Sequence, residues 1–166
     1  VVVIGGGMTA VDAAVQSKLL GAESVTIVYR RSKNEMNASI KEREHATSAG
    51  VRILTNVQPK EITVDNGNLS ELVLSYTKST EKGLEVMAEE IHLKADQIFK
   101  AIGQTFDELL NGIEMVNQKI SIDSDGKTSN QKVWAGGDCA LGGDDLTVTA
   151  VAQGRDSAEG INRFLN

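Results

Sequence analysis

The sequence predicts an α/β protein in which a parallel β-sheet is followed by an antiparallel β-meander, with a shorter α/β segment at the carboxyl end. Three observations support this fold class. The chain opens on a run of β-branched residues that ends in three consecutive glycines. Strand-like and helix-like patterns then alternate as far as residue 54. After residue 60 the pattern changes to consecutive strands joined by an Asn-Gly turn.

The first motif is Gly5-x-Gly7-x-x-Ala10, directly after the apolar run 1–4. This is the spacing of the glycine turn in Rossmann-like dinucleotide-binding domains. Gly5 permits a tight exit from the strand, and Gly7 lets a pyrophosphate approach the backbone. Ala10 lets the next helix lie close to the strand. The amino end of that helix offers free N–H groups and a positive dipole to phosphates.

The elements that follow support the motif. Apolar residues at helical spacing predict a helix over 8–20, which Gly21 is suited to end. Residues 24–29 then have the composition of a second buried strand. The order of strand, glycine turn, helix and strand is the context that a dinucleotide-binding turn requires.

Arg30 and Arg31 stand at the end of the second strand, about 20 residues beyond the glycine turn, where NAD-preferring sites place an acidic residue. Two arginines suit the 2′-phosphate of NADP instead, through charge-assisted hydrogen bonds. The alternative is two solvated surface arginines.

The pattern next predicts a polar helix over 38–49 and a third strand over 51–54. A hairpin of strands 60–64 and 69–77, followed by a strand over 84–93, then replaces the helical crossover. His45 lies in the polar helix and is interpreted as a surface residue. His92 alternates with apolar neighbours on a strand and has no visible partner, so we assign neither histidine any chemistry.

A further buried strand is predicted over 95–104, and it ends in a glycine turn. Because ligands bind at the carboxyl ends of strands in open α/β sheets, Ala101, Ile102 and Gly103 are candidates for lining the nucleotide site. The alternative is an ordinary strand exit.

The carboxyl-terminal segment is predicted to contain a short strand over 119–123 and a strand over 133–138 that ends in Gly-Gly-Asp. A last helix is expected over 146–165. Its apolar residues fall on or near one face: Val148, Val151, Ala152, Ala158, Ile161 and Leu165.

Composition excludes several classes of function. The 166 residues carry a net charge of −6 and no basic run, which argues against nucleic acid or an anionic membrane as partner. No apolar stretch has the length of a membrane span. Cys139 is the single cysteine, so the chain has no redox cysteine pair and no multi-cysteine iron–sulfur site. Without a recognisable signal peptide, a cytoplasmic location is expected. Because the sequence begins inside a strand, we expect a piece of a longer protein.

Four ordered motifs and the start of the last helix resemble one family. They are Val-Ile-Gly-Gly-Gly-Met-Thr-Ala-Val-Asp at 3–12, Val-Tyr-Arg-Arg at 28–31, Ala-Ile-Gly-Gln at 101–104 and Ala-Gly-Gly-Asp at 135–138, with Val-Thr-Ala-Val-Ala-Gln-Gly-Arg at 148–155. Together they resemble the carboxyl-terminal part of the small subunit of bacterial glutamate synthase. They are similarly close to the electron-input region of dihydropyrimidine dehydrogenase.

The resemblance implies an NADPH-binding domain inserted into an FAD-binding domain. Residues 1–104 would be the insert, 105–117 a connection, and 118–166 the returning end of the FAD domain, whose amino-terminal part lies outside this chain. By the same resemblance, the glycine turn holds the pyrophosphate and the arginine pair holds the 2′-phosphate. Residues 101–103 lie toward the nicotinamide, Asp138 bonds the FAD ribityl or pyrophosphate region, and the last helix directs N–H groups at the flavin. The cofactor-binding set is therefore Gly5, Gly6, Gly7, Met8, Thr9, Arg30, Arg31, Ala101, Ile102, Gly103, Gly137, Asp138, Leu146, Thr147 and Val148.

The implied activity is hydride transfer from NADPH to FAD, with electrons passed through iron–sulfur clusters outside this chain to a catalytic large subunit or domain. No catalytic side chain is required, because the cofactors supply the chemistry. Asn37 departs from the family, which often has Pro there and in some members a basic residue, so weaker NADP selectivity is expected. The alternative function is a non-catalytic NAD(P)-binding regulatory module, and the alternative for Asp138 is a turn-forming residue.

Overall fold

The computed structural model describes residues 1–104, 112–142, 144 and 146–166. The chain divides into two compact units, Val1–Gly103 and Gln104–Asn166. Most of the predicted connection 105–117 lies outside the described residues, because the description resumes at residue 112.

The first unit is built on a four-stranded parallel sheet. Its strands lie in the order β3-β2-β1-β7, and their bounds are β1 Val2–Ile4, β2 Thr26–Tyr29, β3 Arg52–Thr55 and β7 Ile98–Lys100. Val3 of the central strand pairs with Ile27 on one side and Phe99 on the other. The carboxyl ends of all four strands therefore lie at one edge of the sheet.

Two helices cover one face of this sheet. Helix α1 spans Met8–Leu19 and α2 spans Ile40–Ser48, in agreement with the predicted positions. Ala10 and Ala14 of α1 are fully buried together with Val3 and Ile27 of the sheet. These small residues allow the close helix–strand packing that the glycine motif predicts.

An antiparallel meander forms the second layer of this unit. Its strands are β4 Val57–Asp65, β5 Asn68–Thr80 and β6 Gly83–Lys94. Asn66 and Gly67 link β4 to β5 with φ angles of 49° and 81°, the conformation that the Asn-Gly signal favours. Leu72 and Leu74 of β5 form a core with Val28 of the parallel sheet. The meander therefore replaces a crossover helix, as predicted.

Strand β7 differs from its prediction as a buried strand over 95–104. Only Ile98–Lys100 are in the strand, and Phe99 is 43% exposed. Within the described sheet β7 pairs with β1 alone. It is therefore an edge strand, and it is less completely covered than the central strand β1.

The second unit has little regular structure before its helix. Its elements are β8 Met115–Val116, β9 Lys119–Ile120 and α3 Thr147–Leu165. The predicted strand 119–123 is thus shortened. The predicted strand 133–138 is wrong, because this stretch makes a single bridge, between Trp134 and Lys127. Gly137 has a φ of 79°, which directs the backbone into a turn instead of extending it.

The packing of α3 also corrects the sequence analysis. The predicted apolar face is largely exposed, with Val148 at 73% and Val151 at 68% exposure. The helix instead buries Ser157 and Gly160, against which residues 125 and 134–135 pack. Small residues let the loop approach the helix backbone, and this close contact decides which face is covered. Trp134 also contacts Phe164, with ring centroids 5.4 Å apart.

Among the described helices, none combines the length and the apolar character needed to cross a membrane. In the same residues no three His, Cys, Asp or Glu side chains are grouped so that they could hold a metal ion.

Candidate nucleotide-binding site

The glycine turn joins the carboxyl end of β1 to helix α1. Gly5 has a φ of 153°, and a Cβ at this position would lie 2.2 Å from the carbonyl oxygen of Ala101. Its N–H donates to the carbonyl of Val28 at 3.0 Å, and the N–H of Ala101 donates to the carbonyl of Ile4 at 2.7 Å. The turn is therefore held between the ends of β2 and β7, with no room for a side chain.

Gly6 and Gly7 lack side chains for different reasons. A Cβ on Gly6 would lie 2.5 Å from the ring of Tyr29, and its carbonyl accepts a 2.9 Å hydrogen bond from the N–H of Ala38. A Cβ on Gly7, in contrast, would meet no atom within 4 Å. Gly6 is small because the protein packs against it, whereas Gly7 borders open space.

That open space lies in front of the amino end of α1. Gly7 is the N-cap and has no side chain with which to cap the helix, and the first turn contains no acidic residue. Met8 and Thr9 are exposed. A helix end without a capping side chain leaves N–H donors and a positive partial charge for an anion. The donor set and the space at Gly7 fit the pyrophosphate of a dinucleotide.

Arg30 and Arg31 are exposed and follow β2 at the same edge of the sheet. Their backbone is fixed by the residues that connect to the meander. The hydroxyl of Thr77 donates to the carbonyl of Arg30 at 2.7 Å, and the N–H of Asn56 donates to the carbonyl of Arg31 at 3.0 Å. The side chains, by comparison, extend from an anchored backbone toward solvent, which suits them to contact a phosphate.

Sequence analysis missed an acidic neighbour of this pair. The Nε of Arg31 lies 3.9 Å from Oε1 of Glu35. Glu35 ends a short 3₁₀ turn, Lys33–Glu35, whose N-cap is Ser32. The Ser-x-x-Glu spacing of a capping box was the signal that could have revealed it.

The hydrogen bonds of Glu35 keep its carboxylate in place. Oε2 accepts from the N–H of Ser32 at 3.1 Å and from its hydroxyl at 2.6 Å. These bonds, followed by the charge of Arg31, lower the pKa of Glu35 below its ordinary value. The carboxylate is therefore ionised at neutral pH.

Residues 101–103 follow β7 beside the glycine turn. Ala101 borders Gly5, as described, and Ile102 is 64% exposed. Gly103 has a φ of 96°, which turns the chain after the strand. The structure thus brings Ala101 next to the glycine turn, and it leaves the Ile102 side chain accessible at the strand exit.

A cavity of about 560 Å³ lies elsewhere in the first unit. Its lining includes Glu23, Thr26 and Arg52, which stand at or before the amino ends of the strands. It is consequently at the opposite edge of the sheet from the glycine turn. His92, which also lines it, lies 3.2 Å from Glu71 and has the partner that the sequence did not reveal.

The remaining predicted residues belong to the second unit. The N–H of Gly137 donates to Oε1 of Gln153 on α3 at 2.7 Å, and Asp138 is exposed. Leu146 is the N-cap of α3, its own side chain makes no capping hydrogen bond, and the first turn of the helix has no acidic residue. Thr147 and Val148, the first residues of α3, are exposed. This second helix end has the same donor chemistry as the first.

Comparison with known proteins agrees with this architecture. A family model described as pyridine nucleotide-disulphide oxidoreductase matches residues 1–154. The glutamate synthase [NADPH] small chain of Escherichia coli is 38% identical over 182 residues, covering 99% of this chain and 38% of that protein. The NAD-dependent dihydropyrimidine dehydrogenase subunit PreT of Escherichia coli is 34% identical over 164 residues, covering 98% of this chain and 36% of that protein.

The structure of thioredoxin reductase from Lactococcus lactis has a similar fold. Its TM-score is 0.76 at 24% identity, over 98% of this chain and 52% of that one. This likeness confirms the predicted fold class, and the family match together with the two curated relatives confirms the resemblance stated from the motifs. The chain spans well under half the length of those two relatives. It belongs to the pyridine nucleotide-disulphide oxidoreductase family.

Proposed function

We propose that this chain is the NADPH-binding part and the carboxyl-terminal FAD-binding part of a larger flavin oxidoreductase. The intact enzyme takes hydride from NADPH onto flavin and passes the electrons to a catalytic partner. The observation that supports this most directly is in the first unit. An uncapped helix end and open space at Gly7 accompany two exposed arginines at the same sheet edge.

For NADP(H), we propose the following contacts. The N–H groups at Gly7, Met8 and Thr9 bind the pyrophosphate, and Gly5 and Gly6 hold the turn that directs those groups outward. The 2′-phosphate binds Arg30 and Arg31 through charge-assisted hydrogen bonds. Residues 101–103 border the nicotinamide end of the site.

For FAD, the fitting groups are in the second unit. The amino end of α3, from Leu146 to Val148, supplies N–H donors that the N-cap residue Leu146 does not itself cap. Gly137 and the exposed Asp138 supply a turn and an acceptor for the ribityl or pyrophosphate region. The exposed apolar residues of α3 further support a missing part of the FAD domain that covers them.

When bound, FAD supplies the electron-accepting chemistry, and NADPH supplies the hydride. The residues of this chain bind and orient the two cofactors, and the apolar side chain of Ile102 excludes water beside the nicotinamide. The amino end of α3, the positive end of the helix dipole, stabilises negative charge on the bound flavin. No side chain of this chain has to transfer a proton.

The electron acceptor is proposed to be a separate catalytic subunit or domain. Both curated relatives are named as parts of larger enzymes, one a small chain and the other a subunit. With a single cysteine in this chain, the iron–sulfur clusters of the proposed electron path would be held outside it.

Replacement of the arginine pair tests the nucleotide assignment. In the double variant Arg30→Ala with Arg31→Ala, NADPH should bind about ten- to a hundredfold more weakly, because charge-assisted hydrogen bonds to the 2′-phosphate are lost. NADH, which lacks that phosphate, should lose little. Calorimetric titration of the chain with both nucleotides measures this difference.

The control is Arg52→Ala, since Arg52 is an exposed arginine at the amino end of β3, the edge of the sheet opposite the glycine turn, and this variant should leave both affinities unchanged. Equal losses for NADPH and NADH in the double variant would contradict the phosphate assignment. No binding of either nucleotide by the unsubstituted chain would overturn the proposal itself.

A further inference from the structure

The acidic residue beside the arginine pair is rigidly placed. The 3₁₀ turn that carries Glu35 is anchored by the hydroxyl of Tyr29, which donates to the carbonyl of Glu35 at 2.8 Å. Arg43 donates to the carbonyl of Lys33 in the same turn. With the two bonds from Ser32 to Oε2, both the backbone and the carboxylate of Glu35 are fixed. The carboxylate cannot move away from Arg31 without breaking these bonds.

The two carboxylate oxygens have different surroundings. Oε2 is used by Ser32, whereas Oε1 faces Arg31 at 3.9 Å, which is longer than a direct hydrogen bond. Arg31 is thus attracted to Glu35 without being held tightly by it. Among the described residues, no side-chain partner is recorded for Arg30. One arginine of the pair is free for a phosphate, and the other is shared with an anion.

We propose that Glu35 moderates the preference of this site for a 2′-phosphate, so that the chain discriminates less between NADPH and NADH than its two arginines alone would allow. This inference rests on the proposed nucleotide site and deepens it. A 2′-phosphate at Arg31 has to approach a fixed carboxylate of the same charge. A 2′-hydroxyl meets no such repulsion, and Oε1 is a suitable hydrogen-bond acceptor for it.

The expected change in affinity depends on how exposed Arg31 and Glu35 are. Arg31 and Glu35 have side-chain exposures of 45% and 42%, so water screens their interaction strongly. Exposed charge pairs contribute little, and the corresponding change in affinity is about two- to fivefold. Removing the charge of Glu35 should therefore strengthen binding of the phosphorylated ribose by this factor.

The variant Glu35→Gln isolates the charge. The glutamine carbonyl oxygen still accepts from Ser32, so the capping box and the turn are kept. The probes are adenosine 2′,5′-bisphosphate and AMP, which differ only in the 2′-phosphate. We expect the bisphosphate to bind the variant about two- to fivefold more tightly and AMP not to bind more tightly. The gain should shrink as salt rises from about 0.05 M to about 0.5 M, because surface charges are then screened.

The chain offers a matched control in Glu42→Gln. Glu42 forms the same capping box with Ser39, whose N–H donates to its carboxylate at 2.6 Å, and among the described residues it has no recorded ion pair with an arginine. This control should leave the affinity for both probes unchanged. A gain in Glu42→Gln equal to that in Glu35→Gln would mean that any nearby negative charge has the same effect, and would overturn the inference.

Three results for Glu35→Gln would also overturn it: no change, equal changes for both probes, or weaker binding of the bisphosphate. The last result would assign Glu35 to positioning Arg31 instead. Failure of the proposed function is recognised separately, since the double arginine variant would then show no selective loss of NADPH. In that case Glu35 has no phosphate site to act on, and the inference fails with it.

Discussion

At the scale of single residues, three consecutive glycines have three different surroundings. Gly5 adopts a positive φ and adjoins the carbonyl of Ala101, Gly6 lies against the ring of Tyr29, and Gly7 faces open space. The same substitution should therefore have a different effect at each of them. This contrast separates two residues that maintain the fold from the one that faces the proposed pyrophosphate site.

Alanine at Gly6 and Gly7 tests the distinction. Gly6→Ala places a methyl group 2.5 Å from the ring of Tyr29. That ring is restrained by the hydrogen bond of its own hydroxyl and by the core. Overpacking of this kind lowers the free energy of unfolding by about 1–3 kcal/mol. Gly7→Ala should stay within about 1 kcal/mol of the unsubstituted protein, the usual cost at an N-cap. Urea unfolding measures both.

Titration with NADPH compares the affinities of the same two variants for the nucleotide. We expect Gly7→Ala to bind NADPH more weakly while remaining folded, because its methyl group occupies the space that the phosphates approach. If Gly7→Ala proved the less stable variant and kept full affinity, the assignment of open space at Gly7 to the pyrophosphate would be contradicted.

The sequence was informative for residues whose role depends on local spacing. The glycine motif identified Gly5 and Ala10 because the tight turn and the helix packing both occur within one strand–helix unit, and the approach of a phosphate to Gly7 stays a prediction. The need for glycine at position 6 depends on Tyr29, which reaches it only through the pairing of β1 with β2. Glu35 was missed because the arginine pair was interpreted without the turn that follows it.

At the scale of elements, α3 provides an internal comparison between two helical glycines. A Cβ on Gly160 would lie 2.8 Å from the carbonyl oxygen of Asp125, whereas a Cβ on Gly154 would meet nothing within 4 Å. Alanine stabilises an open helical site and destabilises a crowded one. Alanine is therefore expected to change the free energy of unfolding in opposite directions at the two positions.

We expect Gly160→Ala to lower the free energy of unfolding of the second unit by about 1–3 kcal/mol through overpacking. Gly154→Ala should raise it by about 0.4–1 kcal/mol, because alanine reduces the entropy of the unfolded chain. Fluorescence of Trp134, the single tryptophan, reports this unit specifically. Stabilisation by Gly160→Ala would contradict the close contact between the helix and residue 125.

Element predictions succeeded where hydrophobic periodicity and burial agree. Strands β1–β3 and helices α1 and α2 lie in one core, so their apolar patterns report their packing. The same rule failed for α3, whose exposed apolar residues suggested a packed face while Ser157 and Gly160 form the actual one. It failed also for residues 133–138, where apolar composition suggested a strand but Gly136 and Gly137 favour close packing and a turn.

At the scale of the whole molecule, the exposed apolar residues of α3 are the feature that the chain does not explain by itself. Val148 and Val151 are largely exposed, and in the proposed flavoprotein the rest of the FAD domain would cover them. The relatives, of which this chain spans 38% and 36%, have the additional length required. The proposed FAD domain therefore needs sequence beyond the 166 residues.

Flavin retention tests that assignment. A version of the protein extended at its amino end to the length of the relatives should purify yellow, and NADPH should bleach its flavin absorbance. In the same longer protein, the double variant of Arg30 and Arg31 should stay yellow and need a higher NADPH concentration for bleaching. A colourless protein that still binds NADPH would contradict the flavoprotein and favour the non-catalytic regulatory module.

The anchoring of residues 30 and 31 has a consequence for evolution. Thr77 and the Asn56 amide secure their main chain, so the side chains there can be exchanged without remodelling the loop. If these side chains bind the coenzyme as proposed, its choice depends on a few codons that can change between lineages while the scaffold stays the same. Descendants of one ancestral domain could alternate between phosphorylated and unphosphorylated donors through point mutations at 30, 31 and 35.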